Sequence, residues 1–149
     1  MRDIHPIRLR GPWQYAPVSR RERQADGAIT DTTTDLPPAG RVTMPCDWRE
    51  TLGSDFVGRV RFHRHFGCPT AVEPHETIWL VMEAFDAGAQ ALLNGTPLGE
   101  TQPGEPARFN ITGKLNQRNE LVLDITAPQP PAGPIGEVRL EIHGVEYGE

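Results

Sequence analysis

Apolar and polar residues alternate with a period of two along much of the chain, and this pattern predicts β-strands. In residues 57–66, Val60 and Phe62 fall on one face while Arg61 and His63 fall on the other. Further strands are predicted at residues 77–85, 90–93, 120–127 and 136–145, and the stretch 4–18 indicates one or two more. No long run shows helical apolar spacing, so the chain is predicted to be all-β.

Glycine and proline separate these strands, and the chain contains 15 of each. Proline is excluded from central strands, so the segments 35–40, 69–76 and 127–134 are predicted to be connections. Asn94-Gly95 is the strongest short signal for a hairpin turn. Many short strands with turns between them predict a β-sandwich or barrel. Residues 1–149 show no internal repeat and no second core, which predicts one domain, with a long mobile loop at about residues 20–40.

Charge and hydropathy argue against two classes of partner. The net charge is −5, whereas nucleic-acid binding needs a concentrated basic face. The basic stretch 19–23 has no aromatic residues among its arginines and is predicted to be a solvated loop. No apolar stretch approaches the ~20 residues of a membrane-spanning helix. The first residues lack the apolar core of a signal peptide, so we expect a cytoplasmic protein.

Two pairs of side chains have metal-binding chemistry. Cys46 and Cys68 lack a metal-binding spacing, so we predict two reduced thiols in or near the core. A disulfide closing a loop of about 20 residues is the alternative. His63 and His65 share a strand face at a spacing that suits a metal. Arg61 shares that face and the strand offers no acidic neighbour, so a polar outer face is the preferred interpretation and no metal site is predicted.

Two other strand positions stand out. Trp79 lies in the apolar run 77–85 and is predicted to be a core residue. Arg64 falls on the same face as Val60 and Phe62, so it is predicted to reach a buried acceptor or to lie at a sheet edge.

Four motifs occur in an order and spacing that resemble a known family. They are VTMPCDW (residues 42–48), FVGRVRFHRHF (56–66), EAFDAGAQALLNGTPLGE (83–100) and FNITGKLNQRNELVLDI (109–125). Together they resemble the N-terminal sugar-binding domain of glycoside hydrolase family 2, across roughly residues 9–142. The resemblance implies a jelly-roll β-sandwich of the galactose-binding domain-like type.

The resemblance also assigns individual positions. The family pattern is matched by Asp86, Ala89, Asn94, Gly95, Gly99 and the segment 109–112, in which Asn110 stands where the family has Asp. The same residues have simple structural interpretations. Asp86 is expected to accept backbone hydrogen bonds, the Asn-Gly pair to form a tight turn, and Asn110 or Thr112 to satisfy local backbone donors.

The loop at residues 99–107 departs from the family pattern. Where the family has His, Gly and Phe, this chain has Thr101, Pro103 and Ala107. The loop therefore keeps its turn residues but loses side chains that would flank a sugar. The residues left as candidate ligand contacts are Trp48, Glu100, Gln102 and Arg108.

The resemblance and the length together define the expected function. The family's hydrolases place two carboxylates in a TIM barrel of about 250 residues, which this chain cannot contain. We therefore expect no enzymatic activity and a non-catalytic carbohydrate-binding module. A protein-interaction or scaffold domain, or an accessory domain docking onto a separately encoded hydrolase, are the alternatives. Sandwiches of this type commonly hold a structural calcium, but no Asp-x-Asp cluster marks one, so no cofactor is predicted and a structural calcium is the alternative.

Overall fold

The computed structural model describes residues 4–53, 56–70, 72–85, 87–127 and 134–144. The strands are β1 (Ile4–Arg8), β2 (Trp13–Arg23), β3 (Ile29–Thr32), β4 (Gly40–Val42), β5 (Cys46–Asp47), β6 (Gly58–Gly67), β7 (Thr77–Met82), β8 (Gly88–Leu93), β9 (Thr96–Thr101), β10 (Ala107–Asn110), β11 (Arg118–Ala127), β12 (Pro134–Ile135) and β13 (Val138–His143), and a helix α1 (Trp48–Leu52) follows β5. The prediction of an all-β chain is confirmed.

The strands form two main antiparallel sheets. The four-stranded sheet has the order β1-β13-β7-β10. The seven-stranded sheet has the order β3-β2-β6-β11-β8-β9, with β4 also paired to β2. A small two-stranded sheet joins β12 to β5. Strands that are distant in sequence are therefore neighbours in space, which the alternating pattern alone does not specify.

The core lies between the two main sheets. In β6, Val60 and Phe62 are fully buried, as the alternation predicts. Leu121 and Leu123 of β11 face the same core from the adjacent strand, and Leu80 reaches it from the opposite sheet. One apolar cluster thus contains residues of both sheets, as expected for a β-sandwich.

The hairpin between β8 and β9 shows how local sequence sets the local structure. Asn94 and Gly95 have φ angles of 52° and 83°, as a two-residue turn of mirror-image type requires. The Asn94 side chain also accepts a hydrogen bond from the Glu120 backbone N–H at 2.8 Å. The predicted turn is confirmed, and it also ties the hairpin to β11.

The segment 20–40 differs from the predicted loop. Residues 20–23 of β2 pair with residues 29–32 of β3 as a hairpin, so the basic stretch 19–23 is part of a strand. Most side chains of this hairpin are exposed or half-buried on both faces. Because neither face is wholly buried, no apolar alternation marks these strands in the sequence.

Trp79 was predicted to be a core residue, and the structure contradicts this. It is half-buried on the outer face of the four-stranded sheet, and its indole N–H donates to the Thr77 hydroxyl at 3.1 Å. Its neighbours Ile78 and Leu80 are the residues that enter the core. An apolar run that looks buried on both sides in the sequence therefore has one face on the core and one outside.

Arg64 occupies the groove between the end of β6 and β1, where it is half-buried. One guanidinium nitrogen donates to the His65 carbonyl at 2.7 Å, while Nε is buried without a hydrogen-bond partner. Burial lowers the pKa of the Arg64 guanidinium.

No helix among the described residues is long and apolar enough to cross a membrane.

Candidate functional site

A row of polar side chains crosses the outer face of the seven-stranded sheet. The strand register places Arg61 opposite Asp124, Asp124 opposite Gln90, and Gln90 opposite Glu100. Because successive side chains along a strand point to opposite faces, these residues point outward while their neighbours in the sequence point into the core. We call this surface the groove face and define it by Arg59, Arg61, His63, Gln90, Glu100, Glu120 and Asp124.

Asp124 holds the centre of the groove face. Arg59 Nε donates to its Oδ1 at 2.7 Å, and Arg61 Nη2 donates to its Oδ2 at 3.3 Å. The Asp124 side chain is only 7% exposed, whereas the two arginines are 44% and 50% exposed. Burial would raise the pKa of this carboxyl, but the hydrogen bonds from the two guanidinium groups outweigh it and lower the pKa. Asp124 is therefore held as an ionised acceptor, which suits it to positioning rather than to proton donation.

A shallow groove of about 320 Å³ lies beside Asp124. Its walls include Glu100 from β9, Gln102 from the loop that follows β9, Gln90 from β8 and Arg59 from β6. These groups offer carboxylate and amide acceptors together with amide and guanidinium donors. The groove can therefore bind a small molecule that both donates and accepts hydrogen bonds.

The four candidate ligand residues do not lie together. Glu100 and Gln102 line the same groove. Trp48 is 1% exposed, and its indole N–H donates to the Phe56 carbonyl at 3.1 Å, so it is a core residue and cannot stack on a ligand. Arg108 lies in β10 of the opposite sheet. The structure thus brings two of the four residues, Glu100 and Gln102, to one groove and separates the other two from it.

The loop after β9 explains why Arg108 is separated from Glu100. It leaves the seven-stranded sheet at the end of β9 and enters the four-stranded sheet at β10. It is held midway by the Gly104 N–H, which donates to the Phe85 carbonyl at 2.7 Å. The buried Thr101 hydroxyl accepts from the Ala89 N–H at 3.1 Å. The residue at the family's histidine position therefore has a structural role here.

Other positions matched by the resemblance are also structural. Gly99 has a φ of 153°, and an added Cβ would lie 2.7 Å from the Phe109 ring, so close packing requires glycine there. The Asn110 side chain accepts from the Thr112 N–H at 3.0 Å, and the Thr112 hydroxyl accepts from the Ile78 N–H at 2.8 Å. The prediction that Asn110 or Thr112 satisfies a local backbone donor is confirmed for Asn110, whereas Thr112 accepts from a strand 34 residues away in the chain. Asp86 lies outside the described residues.

The outer face of the four-stranded sheet carries a second polar cluster. Glu141 lies at its centre, and its side chain is 9% exposed. It accepts from Arg139 Nε at 2.8 Å and from Arg108 Nη2 at 3.4 Å, and His143 Nε2 lies 2.9 Å from it. The Arg108 guanidinium lies 5.6 Å from the centre of the Trp79 ring. We call this surface the tryptophan face and define it by these five residues.

Glu141 is also ionised. Burial would raise the pKa of its carboxyl, but hydrogen bonds from His143 and Arg139 and the nearby positive charges outweigh it and lower the pKa. Each of the Glu141 oxygens has a partner. The charged groups of the tryptophan face are therefore hydrogen-bonded mainly to one another. Fewer of them are available to a ligand than on the groove face.

Both cysteines are free thiols, so the alternative of a disulfide is not formed. Cys46 packs against the core, as predicted, whereas Cys68 is exposed. Burial and the neighbouring Asp47 raise the pKa of the Cys46 thiol to about 11. A thiol with so high a pKa is a poor nucleophile near neutral pH.

Sequence reasoning missed Asp124 and Gln90 as site residues. Asp124 sits in a strand predicted from its inward leucines, and nothing in that strand pairs it with Arg59 or Arg61. A charged residue at an outward position of a central strand was the available signal. Its partners are 63 and 65 residues away in the chain and become known only from the register.

Of three comparisons with known proteins, the one with solved structures finds similar proteins, and part of each has the same architecture. No protein-family model matches the chain, and no curated protein matches it. Among solved structures, a Bifidobacterium dentium β-glucuronidase complexed with coumarin-3-O-glucuronide matches with a TM-score of 0.73 and 18% identity, over 96% of this chain and 30% of that one. A Faecalibacterium prausnitzii β-glucuronidase matches with a TM-score of 0.72 and 18% identity, over 97% and 32%. A β-glucuronidase described as from glycoside hydrolase family 2 matches with a TM-score of 0.67 and 16% identity, over 93% and 18%.

These similarities show the fold. The chain has an all-β sandwich that occurs as part of family 2 β-glucuronidases. It spans about a third or less of the length of those solved chains.

Proposed function

We propose that this chain is a non-catalytic carbohydrate-binding module, equivalent to the N-terminal sugar-binding domain of family 2 glycoside hydrolases. The observation that carries the proposal is the groove beside Asp124, where Glu100, Gln102 and Gln90 converge. The similarity to parts of β-glucuronidases supports it at the level of the fold. Because a fold does not define a function, the argument depends on the groove.

The groove suits hydroxyl groups. A sugar hydroxyl donates one hydrogen bond and accepts others, so it pairs equally well with a carboxylate and with an amide. Glu100 accepts, and Gln90 and Gln102 do both. The residues that line the groove include no aromatic side chain, so stacking contributes nothing there. We expect weak binding, because in a shallow polar site each hydrogen bond to the sugar replaces one to water and adds little binding free energy.

The charges of the groove favour a neutral sugar. The residues that line the groove include one cation, Arg59, and two carboxylates, Asp124 and Glu100, so negative charge exceeds positive charge there by one. A uronate carboxylate would meet this excess negative charge. Although the similar solved proteins are β-glucuronidases, we propose a neutral hexoside or oligosaccharide as the ligand of this chain.

The groove does not support glycoside hydrolysis. That reaction needs one carboxyl held protonated as a general acid and a second held ionised across the scissile bond. The lowered pKa of Asp124 works against the first role. We expect no turnover of a chromogenic glycoside by the purified chain, and turnover abolished by Asp124→Asn would contradict this.

The test is a glycan-array screen followed by NMR titration of any hit. We expect a neutral glycan to shift the backbone signals of Glu100 and Gln102, and Glu100→Gln together with Gln102→Ala to weaken binding about tenfold or more. Arg108→Ala is the matched control, since it removes a half-exposed charge from the opposite sheet. Binding lost in the control variant but kept in the groove variants would place the site elsewhere and overturn the assignment.

A second candidate function is a protein-interaction or accessory domain, and one observation favours it. Ile4 and Ile7 are 44% and 38% exposed on β1, which lies at the edge of the four-stranded sheet. Ile7 lies beside a partly apolar groove of about 500 Å³ that also includes Phe66 and Ile142. An exposed edge strand with apolar side chains is a surface to which another chain can add.

Sedimentation and co-purification distinguish the two candidates. An interaction domain should self-associate, or bind a separately encoded hydrolase, in a manner that Ile7→Lys abolishes. A carbohydrate-binding module should remain monomeric and keep its glycan binding in the same variant. An unchanged sedimentation coefficient and an absence of partner binding would argue against the second candidate.

A further inference from the structure

The structure gives His63 and His65 the acidic neighbour that their own strand lacks. Both histidines point outward from β6, and Glu120 of the adjacent strand β11 is paired directly opposite His65. The three side chains are the one group of at least three potential metal-ligating residues found among the described parts of the chain.

The distances within this group fit a shared metal ion better than hydrogen bonds. Glu120 Oε2 lies 3.5 Å from His63 Nδ1 and 3.4 Å from His65 Nε2. A good hydrogen bond to nitrogen is about 2.7–3.2 Å long. Ligands at about 2.0–2.2 Å from a tetrahedral Zn²⁺ lie roughly 3.3–3.5 Å apart, from simple geometry. The carboxylate oxygen is therefore spaced from both imidazoles as a co-ligand would be.

The two imidazoles are also within reach of each other. The ligating atoms of all three residues lie within 4.8 Å of one another, and the two rings meet edge to face with centroids 6.1 Å apart. His65 is 71% exposed and Glu120 is 43% exposed. Small side-chain rotations, unopposed by core packing, can bring the two nitrogens to ligand spacing.

We propose that His63, His65 and Glu120 form a surface site for a divalent transition metal of the zinc class. Two imidazoles and one carboxylate are a donor set that zinc uses with an open fourth position. Calcium and magnesium prefer oxygen ligands and are excluded by the two nitrogens. His63 and Glu120 also line a groove of about 470 Å³, so the fourth position is accessible to water or to a ligand oxygen.

The surrounding charges permit a cation. Arg61 lines the same groove, but its guanidinium pairs with Asp124 at 3.3 Å. Arg59 pairs with the same carboxylate. The proposed site does not depend on sugar binding, because its three ligands do not line the groove beside Glu100 and Gln102.

Isothermal titration with Zn²⁺ alone, on protein without an affinity tag, tests the site. We expect one ion per chain, and His65→Gln and Glu120→Gln should each weaken binding about tenfold or more. Co²⁺ in place of Zn²⁺ should give the intense visible absorption of tetrahedral coordination. The His65 side chain is 71% exposed and that of Glu120 is 43% exposed, so we expect both variants to fold, and an unchanged circular dichroism spectrum checks this.

Two control variants separate this site from other metal-binding groups. His75→Gln removes an exposed histidine outside the group, and Cys68→Ser removes the exposed thiol. Both should keep full Zn²⁺ binding and the Co²⁺ spectrum. The proposal is overturned if no stoichiometric binding is found, if folded His65→Gln binds as tightly as the original chain, or if Cys68→Ser abolishes binding.

Discussion

The groove face and the tryptophan face each place a nearly buried carboxylate among arginines. They differ in how many of their charged groups remain accessible to a ligand. On the groove face, Asp124 pairs with two arginines that are about half exposed. On the tryptophan face, Glu141 contacts Arg139, which is 19% exposed, His143, which is 8% exposed, and Arg108, which is 48% exposed. The first arrangement is open to solvent along one side, whereas the second is mostly closed, and among its charged partners Arg108 reaches solvent.

This difference decides which face can recognise a ligand. A charged group that reaches solvent can exchange water for a ligand at small cost, whereas a satisfied, desolvated network must first be broken. Residue type alone therefore does not identify the site. Arg108 looked like a ligand contact in the sequence, yet it lies over Trp79 and beside Glu141 in the closed network.

The largest expected effect is from Glu141→Ala on the closed face. It would leave Arg139, Arg108 and His143 without their shared acceptor, and we expect a loss of about 3 kcal/mol in the free energy of unfolding. Urea denaturation measures it. Glu105→Ala, at an exposed turn position, should change stability by less than about 0.5 kcal/mol. An equally small effect at Glu141 would mean that the network is not closed.

Asp124→Ala should cost less than Glu141→Ala. Its two arginines can turn to water when the carboxylate is removed, so we expect a loss of about 1–2 kcal/mol. The same denaturation experiment, performed beside the Glu141 variant, gives the difference directly. If Asp124→Ala proves the more destabilising variant, the contrast between an open and a closed face fails.

Acid should weaken both faces. The pKa values of Asp124 and Glu141 are lowered in the folded protein, so the unfolded state binds protons more readily. Their stabilisation is complete above the unfolded pKa of about 4 and is lost as pH falls below it towards the lowered folded values. The urea concentration at the unfolding midpoint should therefore decrease as the pH is lowered below about 4. This decrease should be less steep in Asp124→Asn than in the original chain. Identical slopes for the variant and the original chain would contradict the assigned pairing.

The smallest expected effect is from Arg108→Ala. Its guanidinium over Trp79 is half exposed, so we expect a loss of about 0.5 kcal/mol. Trp13 and Trp48 are buried, so acrylamide quenching of tryptophan fluorescence should report mainly on Trp79 and should increase in the variant. Arg118→Ala, an exposed change in β11, should leave quenching unaltered. No increase in Arg108→Ala would show that the arginine does not cover the ring.

The same comparison explains which site residues could be predicted. The sequence could place Glu100 and Gln102 near each other because they are two residues apart in one stretch, and the structure has both lining one groove. Trp48 was misassigned because an aromatic residue in a turn looks the same whether its ring points into the core or out of it. Asp124 was missed because its importance comes from arginines in another strand.

The sequence by itself determined the all-β class, most strand positions, the inward and outward faces of β6 and β11, and the turn at Asn94-Gly95. These depend on the alternation of side chains along a strand and on local backbone conformation. Only the tertiary structure decided that Arg108 lies on a different sheet from Glu100, that Trp79 faces outward, and that Glu120 lies opposite His65. The physical reason is that hydrogen-bond register between strands distant in the chain is set by how the two sheets share one core, which no local pattern encodes.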